Sequence, residues 1–317
     1  MTRTIFYMLG ALCAASGTAA LAAKRGGAPR PRAPQQLART PSTHQPEQAH
    51  IEAARGFNHG SAVLAFSALA DSAVEHYRGS VENRAMYAPL LSATCSLLAG
   101  LHGGRDRTAA SHSARHAVYV AAAAAGIAGT AFHLYNVTKR PGGWSWHNLF
   151  YGAPLGAPMS LLLSGALGAV GEQLRNEPAV DPRLFGMPAG KALALAASVG
   201  LAGTVAEVGL LHFRGAFQHR AMYAPVTVPP LAAVLLMQAA LCAPRKRWIT
   251  RAWLRATAAL GMLGMLLHAR GIARSQGGWR NWSQNILGGP PLPAPPGFTA
   301  LALAGLAALR MRETEHE

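Results

Sequence analysis

The chain has 317 residues, of which 50% are hydrophobic and only 13% charged, and it carries a net charge of +16. A soluble globular domain has about a quarter charged residues, so this composition argues against one; the apolar residues gather into runs of about 15 to 23, the length that crosses a bilayer. The basic residues fall between those runs, where lipid headgroups and the positive-inside rule account for them, and with no RNP, zinc-finger or basic-helix pattern the expected partner is the lipid bilayer and not nucleic acid.

Residues 1–23 begin with Arg3, run apolar from Ile5 to Ala23 and are followed by Lys24 and Arg25. Two readings fit. One is a signal peptide cleaved near Ala19-Ala20-Leu21-Ala22-Ala23; the other is a signal-anchor, which the basic residues directly after the stretch favour. Residues 24–56, rich in Pro, Ala, Gln and Arg and without an apolar period, read as a flexible basic linker. From residue 57 the chain becomes regular. Helices are predicted near 57–77, 87–102, 114–135, 153–172, 190–212, 224–243, 252–269 and 294–311. The predicted fold is an all-α integral membrane protein with eight core transmembrane helices after the N-terminal hydrophobic segment. Cys13, Cys95 and Cys242 lie in or beside apolar runs; an odd number without CxxC spacing argues against a disulfide framework or a zinc site, and they read as small buried hydrophobes.

Residues 76–89, HYRGSVENRAMYAP, and 212–225, HFRGAFQHRAMYAP, are identical at nine of fourteen positions with a constant offset of 136. Asp71 meets Glu207 at the same offset. His133 is followed ten residues later by Gly143-Trp144, and His268 ten residues later by Gly278-Trp279; Asn148, Gly152, Pro154 and Leu155 then match Asn285, Gly289, Pro291 and Leu292. This pattern reads as a tandem duplication, with a first four-helix repeat at 57–172, a linker at 173–189 and a second repeat at 190–317. An even number of spans per half makes the repeats parallel. The loops after His76, His133, His212 and His268 then share one face, and the connecting linkers share the other. Thirteen Lys and Arg on the linker side, among them Arg115, Arg175, Arg251 and Arg312, against nine on the motif side place the linkers and C-terminus in the cytoplasm of a bacterial-type inner membrane.

The candidate ligand-binding residues follow from the repeated loops. His76, Arg78, Arg84 and Tyr87 match His212, Arg214, Arg220 and Tyr223. Pro89, Pro154, Pro225 and Pro291 sit near helix starts, whose free N–H groups favour anions, and arginines add bidentate donors. Together they suggest a pocket for a small anionic ligand; the competing reading has the arginines cap helix ends and snorkel to lipid phosphates. Asp71 and Glu207 are acids inside apolar runs, which mark proton or cation paths or lock helices together. Five residues turn a helix by about 500°, so Asp71 and His76 do not share a face. The pairs His76 with His212 and His133 with His268 have the chemistry to ligate haem, or are ordinary interfacial histidines. Trp144 and Trp279 follow Gly-Gly pairs and read as an aromatic belt, with a lid over the pocket as the alternative.

No P-loop, HExxH, GxSxG or CxxCH is present, so no catalytic residue is assigned and an enzyme is not expected. Two function classes remain. The first is a transport or permeation module for a small solute, an anionic one by preference, with a pathway between the halves lined by Asp71 and Glu207. The second is a membrane subunit of a redox or assembly complex, holding haem, a quinone or a protein partner at the His/Arg face.

Overall fold

The computed structural model describes residues 46–152, 155–177 and 181–314; the segment 1–23, the linker up to residue 45, and Pro154 lie outside the described residues. Eight helices of 18 or more residues occur among those described: α1 (Pro46–Arg78), α2 (Ala88–Arg105), α3 (Ser113–Lys139), α4 (Gly156–Asn176), α5 (Ala189–Arg214), α6 (Ala224–Leu241), α7 (Trp248–Arg274) and α8 (Pro296–Thr314). Pro89 and Pro225 fall in the first turns of α2 and α6, where a missing N–H costs nothing. Pro291 is different. It precedes α8 by five residues, and its carbonyl accepts a hydrogen bond instead of opening a helix.

α1 starts at Pro46 and not near residue 57. Ile51, Ala54 and Phe57 recur at helical spacing and are buried; the Ala54 carbonyl lies beside Gly171 of α4, and Gly56 lies beside Ala307 of α8. Among residues 50–56 only Ile51, Ala53 and Ala54 are apolar and buried, and His50, Glu52 and Arg55 lie between and beside them, so residues 46–56 read as linker from the sequence.

α1 packs on α2 and α4, and α3 closes the ring by packing on the same two helices. α5, α6, α7 and α8 repeat this neighbour order. The two groups meet mainly through α1 and α8. Glycines let the helices approach: a Cβ at Gly126 of α3 would strike the Leu162 backbone and the Pro158 carbonyl of α4, and one at Gly261 of α7 would strike Thr299 of α8 and the Pro295 carbonyl just before it. Between the groups, Arg183–Leu184 (β1) and Met187–Pro188 (β2) form a two-stranded hairpin that buries Leu184.

The chain is an all-α membrane protein in which five helices are long and apolar enough to cross a bilayer: α2 and α6 with their preceding turns, α3, α5 and α7. At most 33% of each apolar window is buried inside the protein, so most of that apolar surface needs a lipid solvent. Leu91, Leu98, Ile127, Val199, Val234 and Leu266 all point outward. Cys95 and Cys242 are exposed as well, which corrects the expectation that they are buried. α1, α4 and α8 are the inner helices, rich in Ala and Gly because close neighbours leave little room for larger side chains.

Candidate functional site

The two repeated loops fold alike. After α1, Ser80 and Val81 have φ of 59° and 45°; after α5, Ala216 and Phe217 have 53° and 46°. Left-handed backbone is costly for such residues, on the order of 1–2 kcal/mol each, so both loops hold strained turns against their helix ends. The Val81 and Phe217 amides donate to the His76 and His212 carbonyls at 3.0 and 3.1 Å. Each His then fastens the far side of its loop, His76 Nδ1–H donating to Met86 O at 2.7 Å and His212 Nδ1–H to Met222 O at 2.8 Å. The sequence RAMY forms a single 3-10 turn in both places, capped by the side chains of Asn83 and His219.

The second pair of loops is also matched. Gly142, Gly143, Gly277 and Gly278 all have positive φ, between 50° and 85°, which is why glycine occupies them. Asn148 Nδ2 donates to the Pro141 and Gly143 carbonyls at 3.0 and 2.7 Å, and Asn285 Nδ2 to Gln276 and Gly278 at 3.0 and 2.8 Å. His268 Nδ1–H donates to Pro291 O at 2.7 Å. His133 is half-buried on α3. Trp144 and Trp279 are 65% and 48% exposed.

The structure brings the first loop against the fourth and the third against the second. Arg78 donates to Leu287 O at 3.0 Å and pairs with Glu75 at 2.5 Å, and Tyr77 lies 6.4 Å from Trp282. A cleft of about 830 Å³ opens here, lined by Tyr77, Arg78, Ser80, Val81, Tyr87, Ser283, Gln284, Leu287 and Gly288. Across the protein Arg214 takes the corresponding place but stacks on Phe150 and Tyr151, 5.5 and 5.7 Å from the ring centres. Phe217 stacks on Tyr223 at 4.7 Å, so aromatic rings fill the position that is open on the first side. Arg84 and Arg220 extend exposed from their turns.

Asp71 and Glu207 are half-buried, on α1 and α5. The Glu207 carboxylate lies against Gly156 and accepts a hydrogen bond from its amide at the start of α4. That helix N-terminus is therefore occupied by an internal anion. No ion pair is formed by either acid among the described residues.

No protein-family model, curated protein or solved structure matches this chain. Its chemistry therefore has to be read from its own residues.

One set of buried groups was missed from sequence. At the linker end of the first four-helix group, Arg115 donates to both oxygens of Glu172 at 3.0 and 2.9 Å and to Asp106 at 2.7 Å. Arg175 lies 3.4 Å from Glu172 and caps α2 through the Gly103 and Asp106 carbonyls. Asn58 donates to Glu172 at 3.4 Å and accepts from the Tyr119 hydroxyl, which Ser61 also contacts. Ser61 and Ser96 both bond Ser164, at 3.1 and 2.8 Å. Burial works against ionisation of Asp106, but the Thr108 amide and Arg115 outweigh it and hold the carboxyl below the usual carboxylate range. In the second group the corresponding end carries Arg251 paired with Glu313, and Arg312 capping α6 at the Cys242 carbonyl. Arg115, Arg175, Arg251 and Arg312 are thus structural and carry little orientation signal.

Corresponding positions on the eight helices make the contrast sharp. At offsets of 136 for α1 and α2, 135 for α3 and 137 for α4, Asn58, Ser61, Ser96, Tyr119, Ser164 and Glu172 correspond to Ala194, Ala197, Ala232, Leu254, Leu301 and Leu309. The packing follows these offsets: Gly168 faces Tyr119 and Gly305 faces Leu254. All twelve residues are at most 1% exposed. At these six places one group is polar and the other apolar.

Proposed function

We propose that the chain is a tandem duplication of a four-helix unit, eight spans in all, working as a transport or permeation module for a small solute. The matched loops, the matched helix neighbours and the constant sequence offsets support the duplication. The transport reading rests on one observation: Asp71 and Glu207 are half-buried acids on α1 and α5, and neither forms an ion pair among the described residues. Acids inside membrane helices mark proton or cation paths. The cleft beside Arg78 and Tyr87, directly above Asp71 on α1, offers an anionic solute a guanidinium at the mouth. The linkers are assigned to the cytoplasm and the loops to the outside of a bacterial-type inner membrane, since discounting the bound arginines on both faces leaves the basic excess on the linker side. Uptake of labelled small anions into liposomes, driven by an imposed pH gradient, tests this; uptake that ignores the gradient, or none at all, argues against it.

The redox alternative draws on the histidines. A Nδ1–H spent on a backbone carbonyl leaves Nε2 with its lone pair, the tautomer a metal ligand needs. Among the described residues no group of three His, Cys, Asp or Glu side chains is placed to hold a metal ion, and the same hydrogen bonds serve to close the loops. An absorption spectrum with a Soret band would revive haem.

A further inference from the structure

The duplication supplies an internal comparison for the cleft beside Arg78. At the loop offsets of 136 and 137, four of its lining residues, Val81, Ser283, Leu287 and Gly288, correspond to Phe217, Trp146, Phe150 and Tyr151. Aromatic residues make up 7% of the chain, so four rings at these four places are not an effect of composition. The second side fills with its own rings the space that the first side leaves open. We propose that the open cleft receives the ring of a small aromatic carboxylate, held as the second side holds its own rings; this rests on the transport reading above and names the class of its solute.

Three features carry the proposal. The first is a free stacking face. Phe217 lies on Tyr223 with ring centres 4.7 Å apart and planes 14° from parallel. Tyr87 ends the same RAMY turn and is 49% exposed, with Val81 at the place of Phe217. The second is the guanidinium. Arg214 lies over the rings of Phe150 and Tyr151, whereas the matching Arg78 has Leu287 and Gly288 there, which carry none. A flat ring entering the cleft regains both a stacked contact and a cation–π contact. The third is polar capacity. Arg78 donates to the Leu287 carbonyl and to Glu75, and a guanidinium has more donors than these two bonds use. The remaining donors suit a carboxylate, and Ser80, Ser283 and Gln284 add hydroxyl and amide groups to the lining. The volume of about 830 Å³ is that of a small-molecule site.

The test is equilibrium dialysis of radiolabelled benzoate against the full chain in detergent, with cyclohexanecarboxylate and benzyl alcohol as competitors. The first competitor keeps the charge without the flat ring, and the second keeps the ring without the charge. Saturable binding of benzoate is expected, with each competitor weaker by about tenfold. Val81→Phe copies the second loop, whose Phe217 has φ of 46° against 45° at Val81, so the backbone accepts it; the added ring is expected to fill the cleft and weaken benzoate at least about tenfold. Tyr87→Leu removes the stacking face and is expected to weaken it severalfold, which keeps the test decisive should Val81→Phe fold poorly. No saturable binding of benzoate, equal binding of either competitor, or wild-type affinity in a folded variant overturns the proposal. Gradient-driven uptake of non-aromatic anions such as acetate, and the Asp71 and Glu207 variants, judge the transport reading separately.

Discussion

The carboxylate of Glu207 rests on the amide of Gly156, so an acid from α5 sits on the first turn of α4. A helix N-terminus carries partial positive charge and free donors, and here they are already engaged. The anion site expected at the helix starts is therefore internal at this position. A Cβ on residue 156 would land on the carboxylate. Gly156→Ala is expected to cost about 1–3 kcal/mol through the lost charge-assisted bond, read as a lower melting temperature in detergent. Pairing it with Glu207→Ala should add little further loss, because both changes break one contact.

Arg78 and Arg214 occupy matched places with unlike partners. Arg78→Ala loses a carbonyl and Glu75, and Arg214→Ala loses two aromatic faces. Each loss is expected to cost about 1 kcal/mol or less. If Arg78 also receives solute, Arg78→Ala lowers anion uptake severalfold while Arg214→Ala, whose neighbourhood is filled by rings, leaves it near wild type. Equal loss in both variants would contradict the assignment of the cleft.

Glu172 and Glu313 should behave very differently. Glu172 is fully buried between two guanidinium groups, whereas the Arg251 side chain that meets Glu313 is 32% exposed. Glu172→Leu alone leaves Arg175 without its carboxylate and Arg115 with Asp106 alone, and is expected to cost about 3–5 kcal/mol; Glu313→Gln should cost about 1 kcal/mol or less. The melting temperatures of the two variants, measured side by side, check this order.

Asp106 gives the acid limb of stability. A carboxyl held below its ordinary value adds stability that is present above about pH 4, the unfolded value, and is lost as the pH falls through the folded value. The melting-temperature gap between wild type and Asp106→Asn is expected to be open at neutral pH and to narrow below about pH 4.

The helices and the repeated loops were legible because hydropathy and identity are local signals. The His76–Met86 and His212–Met222 bonds follow from a motif that covers both partners. The Arg115–Glu172 pair was not legible: its members are 57 residues apart, each at the end of an apolar run, where charge reads as linker. The signal was nevertheless present. Glu172 is an acid within the fourth predicted helix, and laying α1 on α5 at the offset already found would have set Asn58 and Ser61 against Ala194 and Ala197. The extension of α1 to Pro46 escaped because its few apolar residues, Ile51, Ala53 and Ala54, are interspersed with His50, Glu52 and Arg55.

The central claim is that Asp71 and Glu207 handle a proton or cation and do not merely fasten helices. An amide keeps the hydrogen-bonding shape of a carboxyl but cannot change its charge. The most direct measurement is gradient-driven uptake by the Asp71→Asn, Glu207→Gln protein, normalised to folded yield. The account predicts full yield with uptake reduced at least tenfold; full yield with wild-type uptake would contradict it.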